Sequence, residues 1–90
     1  MNDGEITRLL KELQGKLENA KALSESDREL LRRLADDIES LLARSRSLAV
    51  EHRRSIVARL QESIAFFEVS HPDLTNVLAR VSKTLADLGI

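Results

Sequence analysis

The sequence has no cysteine, tryptophan or tyrosine, and it holds one proline and three glycines in 90 residues. Without cysteine it has neither a disulfide framework nor a thiolate metal site. It contains no glycine-rich phosphate loop and no Gly-x-Ser-x-Gly elbow, and so few glycines leave little for a loop that preorganises an oxyanion site. We therefore predict a protein that is not an enzyme and that uses no cofactor, metal or small-molecule substrate.

Long hydrophobic runs are also missing. The uncharged segment from Leu74 to Ala79 is among the longest, and it is far too short to cross a bilayer. The N-terminal residues Met1 to Glu5 are acidic and lack the basic and apolar regions of a signal peptide. We therefore expect a cytoplasmic protein that makes no membrane contact.

Charges of the two signs nearly balance, with a formal net charge of −1, which argues against wholesale nucleic-acid binding. Residues 44–59 are the exception, because Glu51 is their only acidic residue. Clustered arginines can neutralise phosphates, so a nucleic-acid-associated accessory protein is our alternative function. The segment lacks interleaved aromatics, and we favour a solvated helix junction whose arginines pair with acidic residues of the first two helices. The arginines of this basic segment are Arg44, Arg46, Arg53, Arg54 and Arg59.

Apolar residues recur every three or four positions along the whole chain, which predicts a single all-α domain over residues 1–90. We expect helices near residues 4–22, 27–48, 52–68 and 72–88. Ser26 and Glu29 have the spacing of a capping box at the start of the second helix. Gly89 suits a left-handed cap after the fourth. The junction before the third helix is weakly marked, so one long helix over 27–68 is an alternative. The apolar stripe of the third helix is Val57, Leu60, Ile64 and Phe67.

Pairs of adjacent apolar residues widen the apolar face of each helix, because neighbours lie about 100° apart around the axis. Each helix then needs two neighbours. An intramolecular four-helix bundle supplies them, and so do shorter hairpins that pair across a dimer. We predict a small helical bundle of three to four helices, with coiled-coil-like spacing, completed by dimerisation. The candidate interface residues are Leu9, Leu30, Leu42, Ile56 and Phe66.

The two histidines are the obvious candidates for chemistry. His71 lies between Ser70 and Pro72 with Asp73 close by, so an imidazole and a carboxylate could meet at a helix start. We favour capping of that helix by Ser70 or His71 over metal binding or catalysis. His52 has no second histidine at the spacing of a zinc-binding helix, and we expect it to be solvated.

Two stretches carry a family resemblance: residues 67–74, Phe-Glu-Val-Ser-His-Pro-Asp-Leu, and the tail at 85–90, Leu-Ala-Asp-Leu-Gly-Ile. The chain resembles the small bacterial family catalogued as domain of unknown function 4404. The resemblance implies a short all-helical cytoplasmic protein and brings no assigned activity, cofactor or catalytic residue. Our working hypothesis is a protein-interaction or oligomerisation module, with a homodimer or a helical protein as its partner.

Overall fold

A computed structural model describes residues 3–44 and 47–89 of the chain, apart from the side chain of Asp3. This part is all-α, as predicted, with four helices and no strand. The helices are α1 (Asp3–Asn19), α2 (Glu25–Arg44), α3 (Val50–Phe67) and α4 (Pro72–Asp87).

The four helices form a closed ring. Helices α1 and α3 each pack against both α2 and α4. The connections are short, at residues 20–24, 45–49 and 68–71, which makes successive helices antiparallel. Every helix thus has two neighbours within one chain. The intramolecular alternative thus supplies both neighbours of each helix, and any dimer must use a surface outside the ring's core.

The core is built almost entirely from aliphatic side chains of all four helices. Of the residues that the structure describes, nineteen hydrophobic ones are buried, with Leu23 in the α1–α2 connection among them. In α1, α2 and α4, apolar residues at steps of three and four positions supply most of the core. Its most enclosed members by size are Phe67, Ile6, Leu13, Leu17, Leu31, Leu34, Ile38, Leu41, Ile56, Leu60, Leu78 and Leu85.

Helix α3 is rotated relative to the predicted stripe. The buried positions are Ile56, Leu60, Ser63 and Phe67, whereas Val57 and Ile64 are half-buried. Because α3 carries apolar residues on several sides, its sequence pattern is compatible with more than one rotation. Packing between α2 and α4 selects the one observed.

Helices α2 and α3 are separate, which excludes the single helix over residues 27–68. Beyond Arg44, the amides of Ser47 and Leu48 both donate to the Arg44 carbonyl, at 3.0 and 3.1 Å. Ala49 is extended, with φ −63° and ψ 147°, and its carbonyl accepts the Arg53 amide at 3.1 Å in the first turn of α3. Ser45 and Arg46 lie outside the described residues.

The start of α2 differs from the predicted capping box. Ser24 Oγ accepts the Asp27 amide at 3.1 Å, so Ser24 is the capping residue. Ser26 lies inside α2, and Glu29 pairs with Arg32 at 3.8 Å instead. The helix begins two residues before the predicted boundary, because Ser24 and Asp27 have the same three-residue spacing as Ser26 and Glu29 but lie two residues earlier.

Replacing Ser24 with alanine is expected to lower the free energy of unfolding by about 1 kcal/mol, because one amide of the first turn loses its acceptor. Ser26→Ala is the matched control and is expected to change it by less than about 0.5 kcal/mol. Urea denaturation followed by circular dichroism measures both. A larger loss for Ser26→Ala would contradict the assignment of the cap.

The end of α4 agrees with the predicted left-handed residue. Gly89 has φ +81°, and its amide donates to the Ala86 carbonyl at 3.0 Å. The predicted return of Ile90 onto the helix lies outside the described residues. Within residues 3–44 and 47–89, no helix has the length and apolar character needed to span a membrane.

Candidate functional site

The most distinctive surface feature is an apolar groove between α2 and α3, with a volume of about 280 Å³. Leu34 and Phe67 form its floor and are almost fully buried, whereas Leu30 and Phe66 are 52% and 69% exposed. We call this groove the Leu30–Phe66 groove. Its lining residues are Asp27, Leu30, Leu34, Arg59, Glu62, Ser63, Phe66 and Phe67.

Of two adjacent phenylalanines, one lies in the core and the other on the surface. Phe67 points into the bundle at 2% exposure, and its neighbour Phe66 turns outward by one helical step. The two rings meet edge to face, with centroids 4.8 Å apart and planes at 89°. Phe67 therefore supports Phe66 from below, so the exposed ring rests on a fixed base.

Charged residues line the rim of the groove. Arg59 Nη1 lies 2.8 Å from Asp37 Oδ2, which joins α3 to α2. Glu62 follows Arg59 by one turn and is exposed, and Asp27 is half-buried at the other side. The groove therefore combines an exposed apolar centre with both signs of charge along α3.

This groove accounts for two of the five candidate interface residues, Leu30 and Phe66. The expectation is wrong for Leu9 and Ile56, which are 3% and 0% exposed and belong to the core. They lie on the inner side of the ring because α1 and α3 each contact two helices. Leu42 is half-buried in a shallow depression between α1 and α2.

The model of one protein family, described as domain of unknown function (DUF4404), matches residues 6–90. The chain belongs to this family. The resemblance of the two C-terminal stretches is thereby confirmed for nearly the whole chain. No curated protein and no solved structure matches this DUF4404 chain.

The four described arginines of the basic segment of this DUF4404 protein do not form one patch. Arg59 turns toward α2 and its Asp37 partner, as the interpretation of a paired junction predicts. Arg53 and Arg54 lie at the start of α3 beside Gly89. Arg44 is exposed at the end of α2, and Arg46 lies outside the described residues.

A second cavity, of about 570 Å³, lies between α1 and the start of α4 and includes His71 and Asp73. His71 occupies the N-cap position of α4, as predicted for Ser70 or His71, but its side chain makes no capping hydrogen bond. Instead the His71 carbonyl accepts the Thr75 amide at 3.0 Å and the Thr75 hydroxyl at 3.1 Å. Its ring lies 6.0 Å from that of Phe67. Among the described residues, no group of three or more metal-ligating side chains converges.

Sequence reasoning missed two members of the groove, Asp27 and Leu34, and the Arg59–Asp37 pair. Asp27 and Leu34 could have been found, because they lie three and four residues from Leu30 and therefore on the same helix face. The ion pair joins two helices, and no local pattern in the sequence specifies that contact.

Proposed function

We propose that this protein is a small non-enzymatic helical module that acts by protein contact and self-associates through the Leu30–Phe66 groove. The observation that carries the proposal is the exposure of two large apolar side chains on facing helices, over a floor that is already packed.

The groove has the composition of a contact surface. Aromatic side chains that project from a packed base are frequent anchors at interfaces, because a partner can cover them at little cost in conformational entropy. The fold itself gains little from Phe66, since Phe67 fills the core beneath it. Covering Phe66 and Leu30 removes apolar surface from water, which favours association.

The alternative, a nucleic-acid-associated accessory protein, has less support. It relied on five arginines acting together, but Asp37 offsets the charge of Arg59 at 2.8 Å. Arg53 is half-buried, which leaves Arg44 and Arg54 as the exposed arginines of the basic segment with no acidic partner, among those described. Two exposed arginines neutralise few phosphates, so we favour protein contact.

Light scattering over a hundredfold concentration range tests the proposal. We expect the solution mass to rise from 10.1 kDa toward twice that value. Phe66→Ala is expected to weaken self-association at least tenfold, since truncation of an aromatic anchor typically costs about 2 kcal/mol of binding free energy.

Val50→Ala is the matched control. Val50 is also an exposed large apolar residue, at 47%, but it lies at the opposite end of α3 and outside the groove. It is expected to leave the dissociation constant unchanged. A monomer at every concentration, or an equal effect of Val50→Ala, would overturn the proposal.

A further inference from the structure

The outer face of α3 suggests how two copies meet, an inference that rests on the proposed function. We propose that two chains dock antiparallel, α3 against α3 about a two-fold axis, so that Arg59 of each copy pairs with Glu62 of the other. Phe66 of each copy then lies over Ser55 and Ala58 of the other.

The exposed face of α3 has a shape that suits this arrangement. Helices α2 and α4 cover its two inner sides, and Ser55, Ala58, Glu62, Ala65 and Phe66 remain exposed. The small side chains of Ser55 and Ala58 precede the large ring of Phe66 along α3. When a second copy packs antiparallel, Phe66 of one α3 therefore lies against the small side chains of the other.

One position of the two-fold axis satisfies both the Arg59–Glu62 pairs and the placement of the Phe66 ring. With a rise of about 1.5 Å per residue, an axis midway between Arg59 and Glu62 places Phe66 about 8 Å to one side. Ser55 lies about 8 Å to the other side, and Ala58 lies between it and the axis. The same axis thus pairs opposite charges and gives Phe66 room.

Charge complementarity selects a second copy in this orientation. Arg59 and Glu62 carry opposite charges three residues apart on one face of α3. When two copies of this face pack antiparallel about a two-fold axis, each Arg59 faces the Glu62 of the other copy, which gives two symmetric ion pairs. A parallel pairing would instead place Arg59 beside Arg59 and Glu62 beside Glu62. Like charges in direct opposition disfavour association.

The existing partner of Arg59 is compatible with this contact. Its Nη1 is held by Asp37 at 2.8 Å, and its side chain remains 41% exposed. A guanidinium has five N–H donors in a planar fork, so it can bind a second carboxylate. Asp37 thus positions Arg59 for Glu62 of the other copy. Exposed ion pairs add little affinity, so this pair sets the register while the burial of Phe66 provides attraction.

Two charge-reversed variants test the arrangement. Arg59→Glu alone opposes two glutamates at each contact, and Glu62→Arg alone opposes two arginines. Each is expected to weaken homodimerisation at least tenfold. When the two variants are mixed, both contacts regain opposite charges, so a heterodimer is expected to form with close to wild-type affinity. Native mass spectrometry distinguishes the heterodimer because the two chains differ in mass.

Controls keep the outcome interpretable. Glu29→Arg changes an exposed glutamate outside the groove lining and is expected to leave dimerisation unchanged. Because Arg59→Glu also places a carboxylate beside Asp37, it is repeated with Asp37→Arg, which restores an ion pair within the chain. Circular dichroism establishes that each variant is folded.

The outcomes separate the two proposals. If Phe66→Ala dissociates the dimer but the mixture of Arg59→Glu and Glu62→Arg forms no heterodimer, the antiparallel arrangement is wrong and the proposed function stands. If either single reversal leaves the dimer intact, the arrangement is likewise overturned. If the wild-type chain is monomeric throughout, both proposals fail.

Discussion

Replacing Phe67 with alanine is expected to lower the free energy of unfolding by about 3–5 kcal/mol, the usual cost of removing a buried aromatic ring. Phe67 is 2% exposed and is among the largest fully buried side chains of the bundle. Its removal leaves a cavity beneath the Leu30–Phe66 groove and takes away the support of the Phe66 ring. For a chain of this size, the midpoint of thermal unfolding is expected to fall by more than about 10 °C.

Phe66→Ala is the matched control for this prediction, because the two residues are adjacent and identical in type. It removes a ring that is 69% exposed and one edge-to-face contact, which is worth about 0.5–1.5 kcal/mol. Its expected cost is therefore at most about 1.5 kcal/mol. Calorimetry of both variants makes the comparison, and Phe67→Leu is expected to recover most of the lost stability. Equal losses at the two positions would show that their assignment to core and surface is wrong.

The sequence predicted the features of the fold that depend on spacing along one helix. The steps of three and four from Ile6 to Leu17 and from Leu74 to Leu85 define faces that are buried in the structure, because a single apolar stripe leaves an amphipathic helix one stable orientation. The family assignment likewise followed from contiguous residues near the C-terminus, and the match over residues 6–90 confirms it.

The spacing of apolar residues did not determine which residues are buried where a helix carries them on several sides. In α3, Ile56 and Val57 are adjacent, and so are Phe66 and Phe67. The sequence indicated that one member of the second pair faces outward, but it could not say which residues of another helix lie beside it. The pairing of Phe66 with Leu30 joins residues 36 positions apart. Such contacts depend on how α2 and α3 pack, which is a property of the whole ring.

A different kind of long-range contact, at Arg28, leads to the second large expected effect. Arg28 lies in the first turns of α2, and its side chain is only 12% exposed. Its Nη2 donates to the carbonyls of Ala20 and Leu23, at 3.2 and 3.3 Å, and its Nε donates to Glu25 at 3.2 Å. A single guanidinium thus binds two carbonyls of the α1–α2 connection, beyond the end of α1.

Arg28→Ala is expected to lower the free energy of unfolding by about 2–3 kcal/mol. Hydrogen bonds from a charged donor contribute about 1.5–3 kcal/mol each, and water can replace part of that contribution at an exposed connection. Because only 12% of the Arg28 side chain is exposed, truncation also loses the burial of its apolar stem. Thermal unfolding followed by circular dichroism measures the effect, and amide hydrogen exchange is expected to accelerate in residues 20–24.

Arg32→Ala is the control that separates loop anchoring from helix-surface charge. Arg32 also belongs to α2 and also has a glutamate three residues earlier, but its pair with Glu29 is longer, at 3.8 Å, and both side chains are largely exposed. Its loss is expected to cost less than about 0.5 kcal/mol. Arg28→Lys is expected to fall between the two, because an ammonium lacks the separate Nε donor that binds Glu25 while Nη2 binds the two carbonyls. If Arg28→Ala and Arg32→Ala lower the free energy of unfolding equally, the guanidinium of Arg28 does not hold the α1–α2 connection in place. The burial of Leu23 in the core would then have to fix the position of that connection.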